Sequence, residues 1–173
     1  MLAGCASPAD PGVALSAIAE GVEITDTFEV VAIRRVTAAG EYLCSGTVIG
    51  PYHVLTTRHC VADGARYEEV SDPSSFEVIV AARLSDPRSI RAMHRVARVH
   101  PYGGDRQEFA YEGRDMAVLI TTTRLATPVR PLSVGDPPEG STIEIVGFGR
   151  TEISVTAAGT KRRGHPIVER VNG

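Results

Sequence analysis

Cys44-Ser45-Gly46-Thr47-Val48-Ile49-Gly50-Pro51-Tyr52-His53-Val54-Leu55-Thr56-Thr57-Arg58-His59-Cys60-Val61 is the stretch on which the reading of this chain turns. Tyr42 through Ile49 is a strand candidate bounded by Gly50-Pro51, and His53 through Thr56 is another. Arg58 through Asp63 is a weak helical patch, ended by Gly64 as a C-cap. Cys44 and Cys60 lie 16 positions apart without a Cys-x-x-Cys spacing, which makes a poor structural zinc site. Two readings stay open at this level. A disulfide would close a short loop worth roughly 3 kcal/mol and requires an oxidising compartment; the alternative is two buried thiols in a cytosolic protein.

Outward from this stretch, short β-like runs alternate with turn signals. Phe28 through Ile33 leads to a Gly40 turn, Phe76 through Ala81 and Ile90 through Val99 follow, and the last runs into His100-Pro101. Met116 through Ile120 is a continuous apolar run, and Ser141 through Val146 alternates ahead of Gly147-Phe148-Gly149. Strands spaced in this way predict an all-β sandwich or barrel. The whole chain agrees: 173 residues, 43% hydrophobic, 23% charged, with 17 glycines and 11 prolines. That is enough apolar material for one or two small cores, and too mixed in charge for a disordered tail. A net charge of −3 gives no reason to expect nucleic acid as a partner. No apolar run approaches the ~18 residues of a membrane-spanning helix. Lys161-Arg162-Arg163 reads as a solvated turn, and His53, His94 and His165 as surface or strand residues without a motif. Asp63 and Glu68-Glu69 form no legible calcium loop, and neither a metal nor a cofactor is expected.

At the N-terminus, Leu2-Ala3-Gly4-Cys5 resembles the lipobox of bacterial lipoproteins, which makes Cys5 a candidate lipidation site and lipid anchor. A full export signal needs basic and apolar regions ahead of it; only Met1 precedes Leu2, so the expectation is a start placed too far downstream. Residues 1–17 are read as this lipobox-like segment and a flexible tether.

The Cys44–Val61 stretch resembles the trypsin-like (chymotrypsin-fold) serine proteases, with their Cys-Gly-Gly-Ser-Leu-Ile and then Trp-Val-Leu-Thr-Ala-Ala-His-Cys, at matching spacing. Gly113-Arg114-Asp115-Met116-Ala117-Val118-Leu119-Ile120 is similar to the Asp-Ile-Ala-Leu-Leu run of that family, and His100-Pro101-Tyr102 to its His-Pro-x-Tyr. Val129-Arg130-Pro131-Leu132 and Ile145-Val146-Gly147-Phe148-Gly149-Arg150-Thr151 resemble its linker and its Val-x-Gly-Trp-Gly-x-Thr strand. The likeness covers residues 18–171. It implies a chymotrypsin-like double β-barrel: residues 18–125 as a complete first barrel, residues 126–173 as a linker with the opening strands of a truncated second one.

The resemblance also assigns roles. Alone, a histidine beside a cysteine is usually structural, and an aspartate ahead of an apolar strand is usually a turn residue. In this order His59 is the general base, Asp115 its orienting carboxylate, and Cys44–Cys60 a disulfide pinning the histidine turn. A serine hydroxyl is a weak nucleophile and needs a base with pKa near 7, whose tautomer the carboxylate sets. The implied activity is serine-type endopeptidase action on protein or peptide substrates, outside the cytoplasm. The alternative is a catalytically inactive homologue acting as a binding module. A zinc protein using Cys44, His59 and Cys60 ranks last.

Three departures stand out. No serine of the chain lies in a Gly-Asp-Ser-Gly-Gly context, so the chain has no nucleophile and is expected to be inactive alone, as a truncated or frameshifted product. Thr57 and Arg58 stand where the family has alanines, and a cation at 58 must snorkel to solvent or find an acid. Ile18-Ala19-Glu20-Gly21 resembles the Ile-Val-Gly-Gly start of mature enzymes, making Ile18 a candidate mature N-terminus, but Ala17 before it is neither Lys nor Arg.

Overall fold

Six strands each contribute alternate apolar side chains to one interior: Val31 and Ile33, then Val48, Val54, Phe76 with Val78 and Val80, Val96, and Ala117 with Leu119. The computed structural model describes residue 18 and residues 21–38, 40–63, 69–102, 115–150 and 158–169. Its strands are β1 (Val22–Glu23), β2 (Val30–Thr37), β3 (Gly40–Gly50), β4 (His53–Thr56), β5 (Ala62–Asp63), β6 (Glu69–Val70), β7 (Phe76–Ala81), β8 (Ile90–Pro101), β9 (Ala117–Thr121), β10 (Ile145–Gly147) and β11 (Arg162–Gly164). Strands β2-β3-β4-β9-β8-β7 close into a barrel in that order, every neighbouring pair antiparallel. Closure leaves no unpaired edge among these six strands. The all-β expectation holds.

Both faces of β2 are covered. Val31 and Ile33 point into the barrel, while Val30 and Ala32 join Ile79, Ala81 and Phe148 in a second cluster outside it. This is why Val30-Val31-Ala32-Ile33 is a continuous apolar run rather than an alternating one. Phe148 follows β10, which pairs with β11, which in turn pairs with β1. This three-stranded sheet lies against the outside of the barrel through Phe148 and Val146.

Several sequence expectations change in detail. Strand β2 starts at Val30 rather than Phe28, because Thr27 takes a positive φ of 58° and the Val30 amide donates back to its carbonyl at 3.1 Å. The Ser141–Val146 run shortens to β10, with Thr142 making only an isolated bridge to Ile167. The weak helical patch is a single 3₁₀ turn, Arg58–Cys60. The tether with Cys5, and Gly64, Glu68, Gly113, Arg114 and Thr151, lie outside the described residues.

The reading of Lys161-Arg162-Arg163 as a solvated turn is overturned. Arg162 and Arg163 belong to β11, and Lys161 is fully buried. Its Nζ donates to the carbonyls of Thr27 at 2.9 Å and Asp26 at 3.3 Å, and sits 5.1 and 5.4 Å from the ring centroids of Phe28 and Phe148. Arg162 Nη2 donates to Glu23 Oε1 at 2.9 Å, and Arg163 Nη2 to Thr27 Oγ1 at 2.7 Å. Apart from Phe148, every one of these partners lies more than a hundred residues away in sequence, so a local reading has no means of finding them.

Burial pushes the Lys161 ammonium down from 10.5 to about 8, against the raising pull of Glu29 and Asp26. Between pH 8 and 10.5 the unfolded chain therefore holds a proton that the folded chain has lost, and stability rises with pH across that window. The full effect is about 3 kcal/mol. Urea unfolding from pH 7.5 to 10.5 should show the wild type gaining on a Lys161→Met variant. Parallel pH curves for the two proteins would remove the effect.

Candidate active site

Strand register builds the site. Strand β4 pairs with β9 so that Thr56 faces Ala117. Continuing forward from Thr56 and backward from Ala117 brings residues 57–59 and 115–116 to the same end of the barrel. His59 thus meets Asp115 across 56 residues of sequence. Thr57, in an extended conformation, leads into the 3₁₀ turn Arg58–Cys60, and the Cys44–Cys60 disulfide ties that turn to β3 with a Cα–Cα distance of 6.2 Å. Between the two open readings of these cysteines, the bonded one holds.

Asp115 grips His59 at two points. Its Oδ1 accepts the His59 backbone N–H at 3.0 Å, and its Oδ2 lies 2.7 Å from His59 Nδ1. An ionised carboxylate only accepts, so Nδ1 carries the proton and Nε2 is left as the basic nitrogen. Burial by itself pushes the Asp115 carboxyl up. Hydrogen bonds from the His59 ring and backbone, the charge of His59 and the Arg58 backbone outweigh it and hold the carboxyl below 3.8. About a third of each side chain, 35% for His59 and 33% for Asp115, is exposed, so the pair opens to solvent rather than lying in the core.

Beside the pair lies a groove of about 280 Å³ lined by Ser45, Leu55, Thr57, Asp115, Met116 and Val146 among others. The Thr57 hydroxyl is 3.4 Å from His59 Nε2 and donates to Cys60 Sγ at 3.0 Å. Arg58 does not snorkel: it is fully buried, and its Nη1 donates to the Tyr102 carbonyl at 3.0 Å. The sequence marked both positions as departures from the family pattern without revealing their contacts.

Cys44, His59 and Cys60 bring their donor atoms within 4.8 Å of one another, the one such cluster among the described residues. Both sulfurs are consumed in the disulfide, so neither is a thiolate that a metal would take. Ile18 is buried and packs on β10 and β11, close enough that a Cβ on Gly164 would stand 3.1 Å from its Cγ2. His53 and His165 are exposed. His94 is buried in β8 with Nδ1 2.8 Å from Thr123 Oγ1, and burial lowers its pKa from 6.5.

A family profile described as Trypsin matches residues 21–166. Serine protease SP24D from Anopheles gambiae is 32% identical over 111 residues, which is 62% of this chain and 37% of that protein. The solved structure of a protein called GrC superposes with a TM-score of 0.63 at 19% identity, covering 87% of this chain and 65% of its own. The scabies mite inactivated protease paralogue S-I1 gives a TM-score of 0.66 at 19% identity, covering 88% and 66%. At such identities the two structures speak for the fold alone. This chain spans a little over a third of the curated relative, 37%, and about two thirds of the two structures, 65% and 66%.

Proposed function

The chain belongs to the trypsin family of serine proteases, and on that footing we propose that it supplies the general base and the orienting carboxylate of a serine-type endopeptidase. The observation that carries the reading is the two-point grip of Asp115 on His59. In the proposed reaction a serine Oγ attacks the carbonyl of a protein or peptide substrate, and its proton passes to His59 Nε2. Asp115 holds the ring in the tautomer that leaves Nε2 unprotonated, and it stabilises the imidazolium that forms. The proton then goes to the leaving amine as the acyl-enzyme is made, and water completes the hydrolysis. None of these steps calls for a cofactor.

None of the serines in the 173 residues sits in a Gly-Asp-Ser-Gly-Gly setting, so the nucleophile of this reaction belongs to sequence outside them. The disulfide supports an oxidising, extracytoplasmic setting, with Cys5 as the candidate lipid anchor. Among the described residues no helix is long and apolar enough to cross a membrane. The domain reading is a barrel-bearing part, 18–125, followed by the start of a second barrel, 126–173.

A fluorophosphonate probe tests the proposal, because it reacts only with an activated serine. The longest product of the gene should be labelled at a serine outside residues 1–173, and His59→Ala should abolish the labelling. The 173-residue chain alone should stay unlabelled. A folded full-length product that resists the probe would instead make this an inactive homologue acting as a binding module.

A further inference from the structure

Arg58 sits where it crosses three strands. It follows β4, its neighbour His59 donates its backbone N–H to Asp115 just ahead of β9, and its own Nη1 reaches the Tyr102 carbonyl just past β8. The Tyr102 amide donates to the Met116 carbonyl at 2.7 Å, which continues the β8–β9 ladder one step beyond its Pro101↔Ala117 pair. The chain therefore leaves β8 and returns to β9 at two residues, Tyr102 and Asp115; Arg58 bonds to the first and the adjacent His59 to the second.

We propose that Arg58 is a positioning residue: its buried guanidinium straps the end of β8 to the histidine turn and thereby holds Asp115 in its two-point contact with His59. Burying a guanidinium is costly unless its donors are used. A small residue would suffice to connect Thr57 to His59, so packing alone gives no reason for a cation with no exposed surface at this position. Its planar, fixed donors suit a bond to a backbone carbonyl, which a flexible ammonium holds less rigidly. The Cys44–Cys60 disulfide restrains the same turn from the β3 side. The turn is thus tied on one flank covalently and on the other by Arg58.

The inference rests on the reading of Asp115 as the orienting carboxylate, but its test does not depend on activity. Amide hydrogen exchange is measured on the chain and on Arg58→Met and Arg58→Lys. The His59 amide, bonded to Asp115 Oδ1, and the Tyr102 amide, bonded to Met116, should exchange at least about tenfold faster in Arg58→Met. Amides of Val78 and Val80 in β7 should keep their wild-type rates, and Arg58→Lys should fall between. Unchanged His59 and Tyr102 rates, or one common acceleration at all four amides, would overturn the proposal.

A measurement on the wild type covers the case in which Arg58→Met does not fold. The strapped guanidinium should give separate, slowly exchanging Nη proton signals, whereas the single averaged line of a freely rotating group would refute the strap. Fluorophosphonate labelling is read separately. Loss of labelling in every form of the protein would defeat the protease reading and leave these exchange rates to decide the role of Arg58.

Discussion

Asp115→Asn is expected to lower the turnover of the complete protease about 10⁴-fold while changing KM little, the magnitude seen when the carboxylate of a Ser-His-Asp triad becomes an amide. The side-chain volume is almost the same, and Oδ1 of the amide still accepts the His59 backbone N–H. What changes is the atom facing Nδ1, which now lies 2.7 Å from a pure acceptor. An amide nitrogen there donates, so the ring must carry its proton on Nε2 and has no lone pair with which to take the proton of a serine. Active-site-titrated kcat decides the matter, and a loss smaller than about tenfold would mean that Asp115 is not the orienting group. Stability shifts as well. A carboxyl held below 3.8 contributes stability above that pH and loses it as the pH falls through its folded value. The wild type should therefore lose an advantage over Asp115→Asn in the acid range below pH 3.8.

Phe148→Ala should cost about 3–5 kcal/mol, a large part of the ~5–15 kcal/mol that holds a typical domain together. The ring is buried against Val30, Ala32, Ile79 and Ala81 on the outside of the barrel, and the Lys161 Nζ lies 5.4 Å from its centroid. Truncation leaves a cavity between the barrel and the β1-β11-β10 sheet, and leaves the Lys161 ammonium with the Phe28 ring and two carbonyls. The Phe148 backbone bonds, its amide to Ser45 Oγ and its carbonyl from the Gly159 amide, both at 2.9 Å, survive the change. The loss therefore reports side-chain packing. Urea unfolding should show a lower midpoint with an unchanged slope. A loss under about 1 kcal/mol would mean that this sheet does not unfold together with the barrel.

Much of the barrel is legible in the sequence because its strands alternate or run apolar between turn signals. The strands read at His53–Thr56 and Phe76–Ala81 coincide with β4 and β7 to the residue. Strands of two or three residues such as β1, β5 and β11 are too short to show a period, and they exist only because a partner lies alongside. The His59 and Asp115 positions were legible for a different reason: each sits in a motif with its own local spacing, one ending in His59-Cys60 and one opening with Asp115 before an apolar strand.

The sequence by itself determined the all-β class, the six barrel strands, the identity of the histidine and aspartate that meet, and the family to which such an arrangement belongs. The class and the strands follow from hydrophobic period and turn chemistry a few residues at a time. The histidine, the aspartate and the family come instead from the likeness of whole motifs to those of a known protease family. The tertiary structure decided the rest. It chose the disulfide over free thiols, moved Lys161 from solvent to a buried site, and turned Arg58 inward to the Tyr102 carbonyl. Each outcome depends on a partner brought from far along the chain. A charged side chain is buried only where such a partner satisfies its donors, and composition carries no information about who that partner is.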